Sequence, residues 1–299
     1  MNIASQNFPE AFRSFFRRGG VLPRLILINA AVFVLVYLSA LIRWLFAVEG
    51  SETVVQSPLI NFAAVPSNLD DLYEKPWTLI TYMFLHEGFL HLLFNMLMLY
   101  FGGIVFLQYL TQKQLSLIYI TGGLFGALIF IVSYNIFPIF TDVREFAIAM
   151  GASASVLAVM IAISAHVPDY RVNLMFVGPV KLKYIAVVFI ILDIFSIKGN
   201  NPGGHLAHLG GALWGFIYIQ LLKNNLDPFS LFSGRRRKIK VSYKSEKTGR
   251  PLNDEEYNRI KAQEQQEIDH ILDKISESGY GSLSTREKEL LFRSSNKKK

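Results

Sequence analysis

Between residues 25 and 222 the chain alternates long apolar runs with short polar breaks. Charge-free runs extend from Leu25 to Ile42, Phe89 to Gln112, Gln114 to Thr141, Phe146 to Ala165 and His205 to Leu222. A shorter run, Tyr184 to Ile197, is interrupted by one charge, Asp193. A helix needs about 20 mostly apolar residues to cross a bilayer, within a range of about 17–25. Helices of a soluble protein show a polar face, and these runs mostly lack one. The pattern predicts six transmembrane helices in an all-α polytopic membrane protein. Beyond the last run, residues 226–253 mix charge with Asn, Ser, Gly and Pro and read as a basic linker. Tyr257, Ile260, Ile268, Ile271, Leu272 and Ile275 then recur between charges, as on an amphipathic helix. After Gly279 and Gly281, Ser284 followed by Glu287 marks a capping box at the start of a second short helix. The predicted organisation is an N-terminal segment 1–20, a membrane domain 21–225, the linker 226–253 and a small helical tail 254–299.

Charge gives the spans a direction. Of the net +7, residues 235–299 contribute +6, from 17 Lys/Arg against 11 Asp/Glu, so the first 234 residues are almost neutral. Basic residues cluster at Arg13, Arg17, Arg18 and Arg24, at Arg171, Lys181 and Lys183, and at Arg235 to Lys238. The stretch from Arg43 to Gly88 instead holds two basic and six acidic residues. Positive loops stay inside, so both termini are expected to be cytoplasmic, and the second, fourth and sixth spans to enter from outside. The basic cluster after the last span is also placed to meet anionic lipid. The first 24 residues show no signal-peptide pattern. A multi-pass protein of the bacterial cytoplasmic membrane is the expected localisation. The absence of cysteine excludes disulfides and thiolate metal sites. Interleaved acids in the tail argue against a nucleic-acid partner.

Each span that enters from outside carries polar residues near its start: His91 and Asn95, Ser153, and His205 and His208. Polar groups in hydrocarbon are costly, so their convergence on one layer points to function. A serine beside a histidine is the minimum for nucleophilic acyl transfer, with the imidazole moving the proton. Fixed donors are needed where negative charge develops, and His91 and Asn95 share a helix face at i and i+4. Ser153 and Ser155 lie about 200° apart on a helix, so they cannot face one histidine. Gly151 frees the backbone just before Ser153. A soluble G-x-S-x-G hydrolase elbow does not fit, because Ser155 stands at the second glycine and no strand precedes it.

These motifs resemble the rhomboid family of intramembrane serine proteases across roughly residues 20–225. They are HEGFLHLLFN (His86, His91, Asn95), GASA (Gly151 to Ala154) and AHLGGALWG (Ala207 to Gly215), in order on the second, fourth and sixth spans. The resemblance implies a six-transmembrane-helix rhomboid-type bundle acting as a serine endopeptidase through a Ser–His dyad. Ser153 is then the nucleophile and His208 its base, with His91, Asn95 and the Ser153 N–H as the oxyanion hole. The implied substrates are transmembrane proteins cut in or near their spans, without cofactor or metal. The sequence departs from the family pattern at Thr78, Phe106, Ala154 and Leu157, and none of these removes a catalytic group. The alternative function is a non-proteolytic rhomboid-like membrane protein that binds clients. Such relatives lack the serine or the histidine, and this chain has both.

The remaining polar residues receive plainer readings. Ser155 reads as packing. His86, at the border of the second span, reads either as a support for the site or as an interfacial residue. His205 reads as a rim residue, and Asp193 as a carboxylate that reaches water at the outer end of its span. The His91, His205 and His208 set lacks a Cys and an HExxH pattern, which argues against zinc. Gly122 and Gly126, and Gly211 and Gly215, form small-xxx-small pairs that permit close helix approach. The second pair shares a helix face with His208 and would press it toward the fourth span.

Overall fold

The computed structural model describes residues 15–17, 19–46, 57–174, 178–224, 226, 228 and 254–296. Most of the expected N-terminal segment, nearly all of the linker and the basic cluster Arg235 to Lys238 lie outside the described residues. The chain divides into two compact units, Met1–Arg236 and Arg237–Lys299.

Six apolar helices make up most of the first unit: α1 (Val21–Leu45), α2 (Phe89–Tyr109), α3 (Gln112–Ile136), α4 (Ser153–His166), α5 (Leu182–Ser196) and α6 (Pro202–Lys223). Among the described residues, α1, α2 and α3 are long and apolar enough to cross a membrane by length and composition. Helix α4 has 14 residues and is the centre of the bundle, packed by α2, α3, α5 and α6. Its residues Ala154 to Ser164 are all buried.

Small residues allow this helix to be enclosed. A Cβ added at Gly122 or Gly126 of α3 would lie 2.3 Å from the Ala158 Cβ or 2.5 Å from the Ala154 Cβ. On α6, a Cβ at Gly211 or Gly215 would lie 2.1 Å from the Ala154 carbonyl oxygen or 2.3 Å from that of Ala158. The two glycine pairs therefore face the same two alanines, one pair against side chains and the other against backbone. Such close approach raises the number of dispersion contacts, which matters where lipid supplies no hydrophobic drive between helices.

The long connection between α1 and α2 folds onto the bundle. Its strand β1 (Val65–Pro66) pairs antiparallel with β2 (Ile148–Ala149), with Val65 opposite Ala149 and Pro66 opposite Ile148. The Gly151 N–H donates to the Tyr82 carbonyl at 3.0 Å, and the Tyr82 hydroxyl donates to the Gly123 carbonyl at 2.6 Å. These bonds hold the chain just before Ser153. Between α4 and α5, strands β3 (Arg171–Leu174) and β4 (Gly178–Lys181) form a hairpin, with Lys181 and Lys183 both on Asp169 at 2.8 and 2.9 Å.

In the second unit, α7 (Asp254–Ser278) and α8 (Thr285–Asn296) are joined by a turn at Tyr280–Ser282. The Glu287 N–H donates to the Ser284 hydroxyl at 3.3 Å, and the Ser284 N–H donates to the Glu287 carboxylate at 2.6 Å. Lys274 of α7 pairs with the same carboxylate at 2.9 Å. Ile271 of α7 and Leu283, which follows the turn, are buried.

Candidate active site

Gly151 has φ +136°, a region that favours glycine. A Cβ there would also stand 3.0 Å from the His91 ring and 3.4 Å from the Ser153 Oγ. This glycine lets the chain turn from β2 into α4 while His91 lies against it. Ser153 becomes the first residue of α4, so its N–H belongs to the first-turn donors that have no intrahelical acceptor.

His208 lies in the second turn of α6. Ser153 Oγ is 2.6 Å from His208 Nε2, and His208 Nδ1 is 2.8 Å from Asp193 Oδ1. His205 Nδ1 is also 2.8 Å from Asp193 Oδ1. The α5–α6 hairpin explains the meeting. Asp193 lies in the last turn of α5, His205 and His208 lie in the first two turns of α6, and the connection is short. Asp193 is buried, 8% exposed, rather than open to water as its position at the end of a span suggested. His205, expected at the rim, is bonded to it.

Among the described residues, Asp193, His205 and His208 are the group of three His/Cys/Asp/Glu side chains close enough to hold a metal ion, with ligand atoms within 4.8 Å. The distances fit hydrogen bonds better. Ligands held tetrahedrally at about 2.0–2.1 Å stand about 3.3 Å apart, whereas each imidazole here is 2.8 Å from the carboxylate oxygen.

His91, Asn95, Ser153, Asp193 and His208 line one cavity of about 340 Å³, with Leu157 among its apolar walls. The Asn95 side chain donates one hydrogen bond to the His91 carbonyl at 2.9 Å, and an amide has a second N–H. His86 is 1% exposed, with its ring edge-on to His91 at 5.1 Å. Neither of its ring nitrogens has a partner among the described residues. It is buried, with its ring against that of His91. Ser155 is fully buried and points away from His208, with its hydroxyl 3.8 Å from the Met83 sulfur.

The family model described as "Rhomboid domain" matches residues 73–225, about half of the chain. The chain belongs to the rhomboid family. A second model, of a family of unknown function (DUF6576), matches residues 253–297. Among curated proteins, this rhomboid protein is similar to presenilin-associated rhomboid-like protein A, mitochondrial, of Danio rerio. The two are 26% identical over 156 residues, covering 50% of this chain and 39% of the relative. It is also similar to the Homo sapiens presenilin-associated rhomboid-like protein, mitochondrial, at 23% over 152 residues, covering 48% and 38%. RHOMBOID-like protein 12, mitochondrial, of Arabidopsis thaliana is 29% identical over 144 residues, covering 45% and 43%. The aligned stretch spans less than half the length of each relative. All three are mitochondrial proteins of eukaryotes by name, and this finding overturns the expected bacterial cytoplasmic membrane.

The sequence brought forward Ser153, His208, His91, Asn95 and Gly151, but gave Asp193 and His205 no part. Two signals mark them in retrospect. Asp193 is the single charge in its apolar run, and His205 stands three residues before His208, on the same helix face.

Proposed function

We propose that this chain is an intramembrane serine endopeptidase that cuts transmembrane proteins in or near their spans. The observation that carries this reading is the 2.6 Å approach of Ser153 Oγ to His208 Nε2 inside a cavity shared with His91 and Asn95. Ser153 attacks the substrate carbonyl while His208 takes its proton, and His208 returns that proton to the leaving amine. His91, the second N–H of Asn95 and the Ser153 backbone N–H receive the charge that develops on the carbonyl oxygen. Gly151 gives His91 and Ser153 their room, His86 backs His91, and Gly211 and Gly215 hold α6 against α4. None of these steps calls for a cofactor or a metal.

In this reading all six helices cross the bilayer, and the domain limits are 21–225 for the membrane domain, 226–253 for the linker and 254–299 for the tail. Helix α4 supports the placement of the nucleophile. Its 14 residues rise about 21 Å, which is about 9 Å short of a hydrocarbon core of about 30 Å. Ser153 then lies at the bottom of a recess rather than at the surface. A client-binding protein without proteolysis would have no use for a serine and histidine at hydrogen-bond distance in that recess.

The test is labelling of the purified full chain by a fluorophosphonate, together with cleavage of a single-span reporter substrate. Wild type should be labelled and active, and Ser153→Ala should lose both. Labelling that persists in Ser153→Ala, or a folded wild type that neither labels nor cleaves, would refute the assignment.

A further inference from the structure

One carboxylate oxygen at the edge of the cavity receives two imidazoles. Asp193 Oδ1 lies 2.8 Å from both His205 Nδ1 and His208 Nδ1, and the two rings cross at 82° with centroids 5.7 Å apart. A single proton arrangement satisfies the whole chain of contacts. Each Nδ1–H donates to Asp193, and His208 Nε2 keeps the lone pair that accepts the Ser153 hydroxyl proton. The other tautomer of His208 would aim an N–H at Ser153 and a lone pair at a carboxylate.

We propose that Asp193 and His205 act as a positioning pair for His208, with Asp193 fixing the reactive tautomer and His205 fixing Asp193. The proposal rests on the protease reading and extends the Ser–His dyad by two residues. Neither added residue touches the reacting atoms. As the Ser153 Oγ bonds to the carbonyl carbon, its proton moves to His208 Nε2 and the imidazole becomes a cation. Asp193 holds the Nδ1–H of that cation and supplies the opposing charge without taking the proton. The proton then passes from Nε2 to the leaving nitrogen as the C–N bond breaks. Water repeats the sequence: its oxygen bonds to the acyl carbon, its proton goes to Nε2, and that proton returns to Ser153 Oγ as the ester bond breaks.

His205 has its own part. Asp193 is 8% exposed and lies in the last turn of α5, where its side chain has rotational freedom unless it is held. With one donor it can turn away from His208. With two donors one helical turn apart on α6, Oδ1 has one position that serves both. Burying a carboxylate is costly unless it is hydrogen-bonded, and bonds to a charged group are about twice as strong as neutral ones. The second imidazole therefore both offsets burial and sets direction.

The rival explanation is a purely structural tie between α5 and α6. Asparagine at 193 separates the two, since its carbonyl oxygen still accepts from an Nδ1–H but brings no charge. The experiment compares wild type, Asp193→Asn, His205→Ala and His205→Asn as full-length chains in detergent, by thermal stability, fluorophosphonate labelling rate and steady-state cleavage. We expect Asp193→Asn to keep its fold and its KM within about twofold while kcat falls about 10²-fold or more, as loss of a transition-state contact requires. His205→Ala should lose about tenfold in kcat, and His205→Asn, whose amide N–H still reaches the carboxylate, should regain most of it. Labelling rates should follow kcat. Asp193→Asn with wild-type kcat, or a His205→Asn no better than His205→Ala, would overturn the proposal and leave the protease reading standing. A wild-type chain that is not labelled would remove both.

Discussion

Replacing Gly211 by alanine should inactivate the protein without touching a reacting group. The added Cβ would stand 2.1 Å from the Ala154 carbonyl oxygen. Carbon and a carbonyl oxygen meet comfortably at about 3.3 Å, so α6 and α4 must part by about 1 Å. The obstacle is backbone, which cannot turn aside as a flexible side chain would. His208 lies three residues from Gly211, nearly one turn away on the same helix face, so most of the displacement reaches it. The 2.6 Å contact between His208 Nε2 and Ser153 Oγ would open toward 3.6 Å, which no longer counts as a hydrogen bond. A misplacement of about 1 Å is enough to cost about 10²-fold in rate. Overpacking of this kind destabilises by about 1–3 kcal/mol, so the chain should still fold.

The assay is cleavage of a single-span reporter by full-length protein in detergent, with thermal stability measured in parallel. Gly88→Ala is the control, because a Cβ at Gly88 meets nothing within 4 Å. It should stay within about twofold of wild type, a change of about 0.4 kcal/mol in barrier. Gly211→Ala at wild-type activity and stability would show that the helix contact is looser than the 2.1 Å geometry requires and would refute the reasoning.

Three further outcomes follow from the same structure. Gly151→Ala should lose activity by more than tenfold in the same cleavage assay, because φ +136° strains any side chain and the Cβ would press on the His91 ring at 3.0 Å; folded, fully active protein would count against the proposed role of that turn. Ser155→Ala should keep most activity, since its hydroxyl faces Met83 rather than His208, and a loss as deep as that of Ser153→Ala would remove Ser153 as the nucleophile. In the tail, hydrogen bonding from Lys274, then from the Ser284 N–H and hydroxyl, holds the Glu287 carboxyl at about 2, below its ordinary value of 4.5. A carboxyl depressed on folding stabilises fully above the unfolded value, and that contribution disappears as pH falls through the folded one. Amide protection of α7 and α8, measured on the full chain and corrected for intrinsic exchange, should therefore be unchanged from pH 7 to about 5 and fall toward pH 2, and Glu287→Gln should remove the fall.

The helices were legible because their signal is local. The apolar run from Phe89 to Gln112 folds as α2, Phe89–Tyr109, and the Ser284–Glu287 spacing gives reciprocal capping bonds. The small-residue spacing of Gly211 and Gly215 likewise pointed to a close helix contact before any partner was known, although only the structure shows that the partner is the backbone of Ala154 and Ala158. Ala154 stands where the family usually has glycine. The room for its methyl comes from Gly126, 28 positions earlier in the chain, a compensation that no local pattern reveals. Asp193 was misjudged for a similar reason. Its place near the end of a span says that water is within reach, but not that two imidazoles across a hairpin reach it first. Their meeting depends on the register of α5 against α6, a tertiary quantity.

The proposed oxyanion donors bear on the form in which a substrate enters the site. In an intact helix the carbonyl oxygens are occupied by backbone N–H groups. In an extended segment the carbonyl of the bond to be cut is free, and in the proposed protease it is available to His91, Asn95 and the first N–H of α4, which share the cavity with Ser153 and His208. Unwinding a few residues gives up their helical hydrogen bonds at about 0.5–1.5 kcal/mol each in water, and more inside a bilayer where no water replaces them. A segment that already contains glycine or proline has fewer such bonds to lose. In the proposed protease, choice among clients would then follow the ease of local unwinding as much as the side chains next to the cut bond.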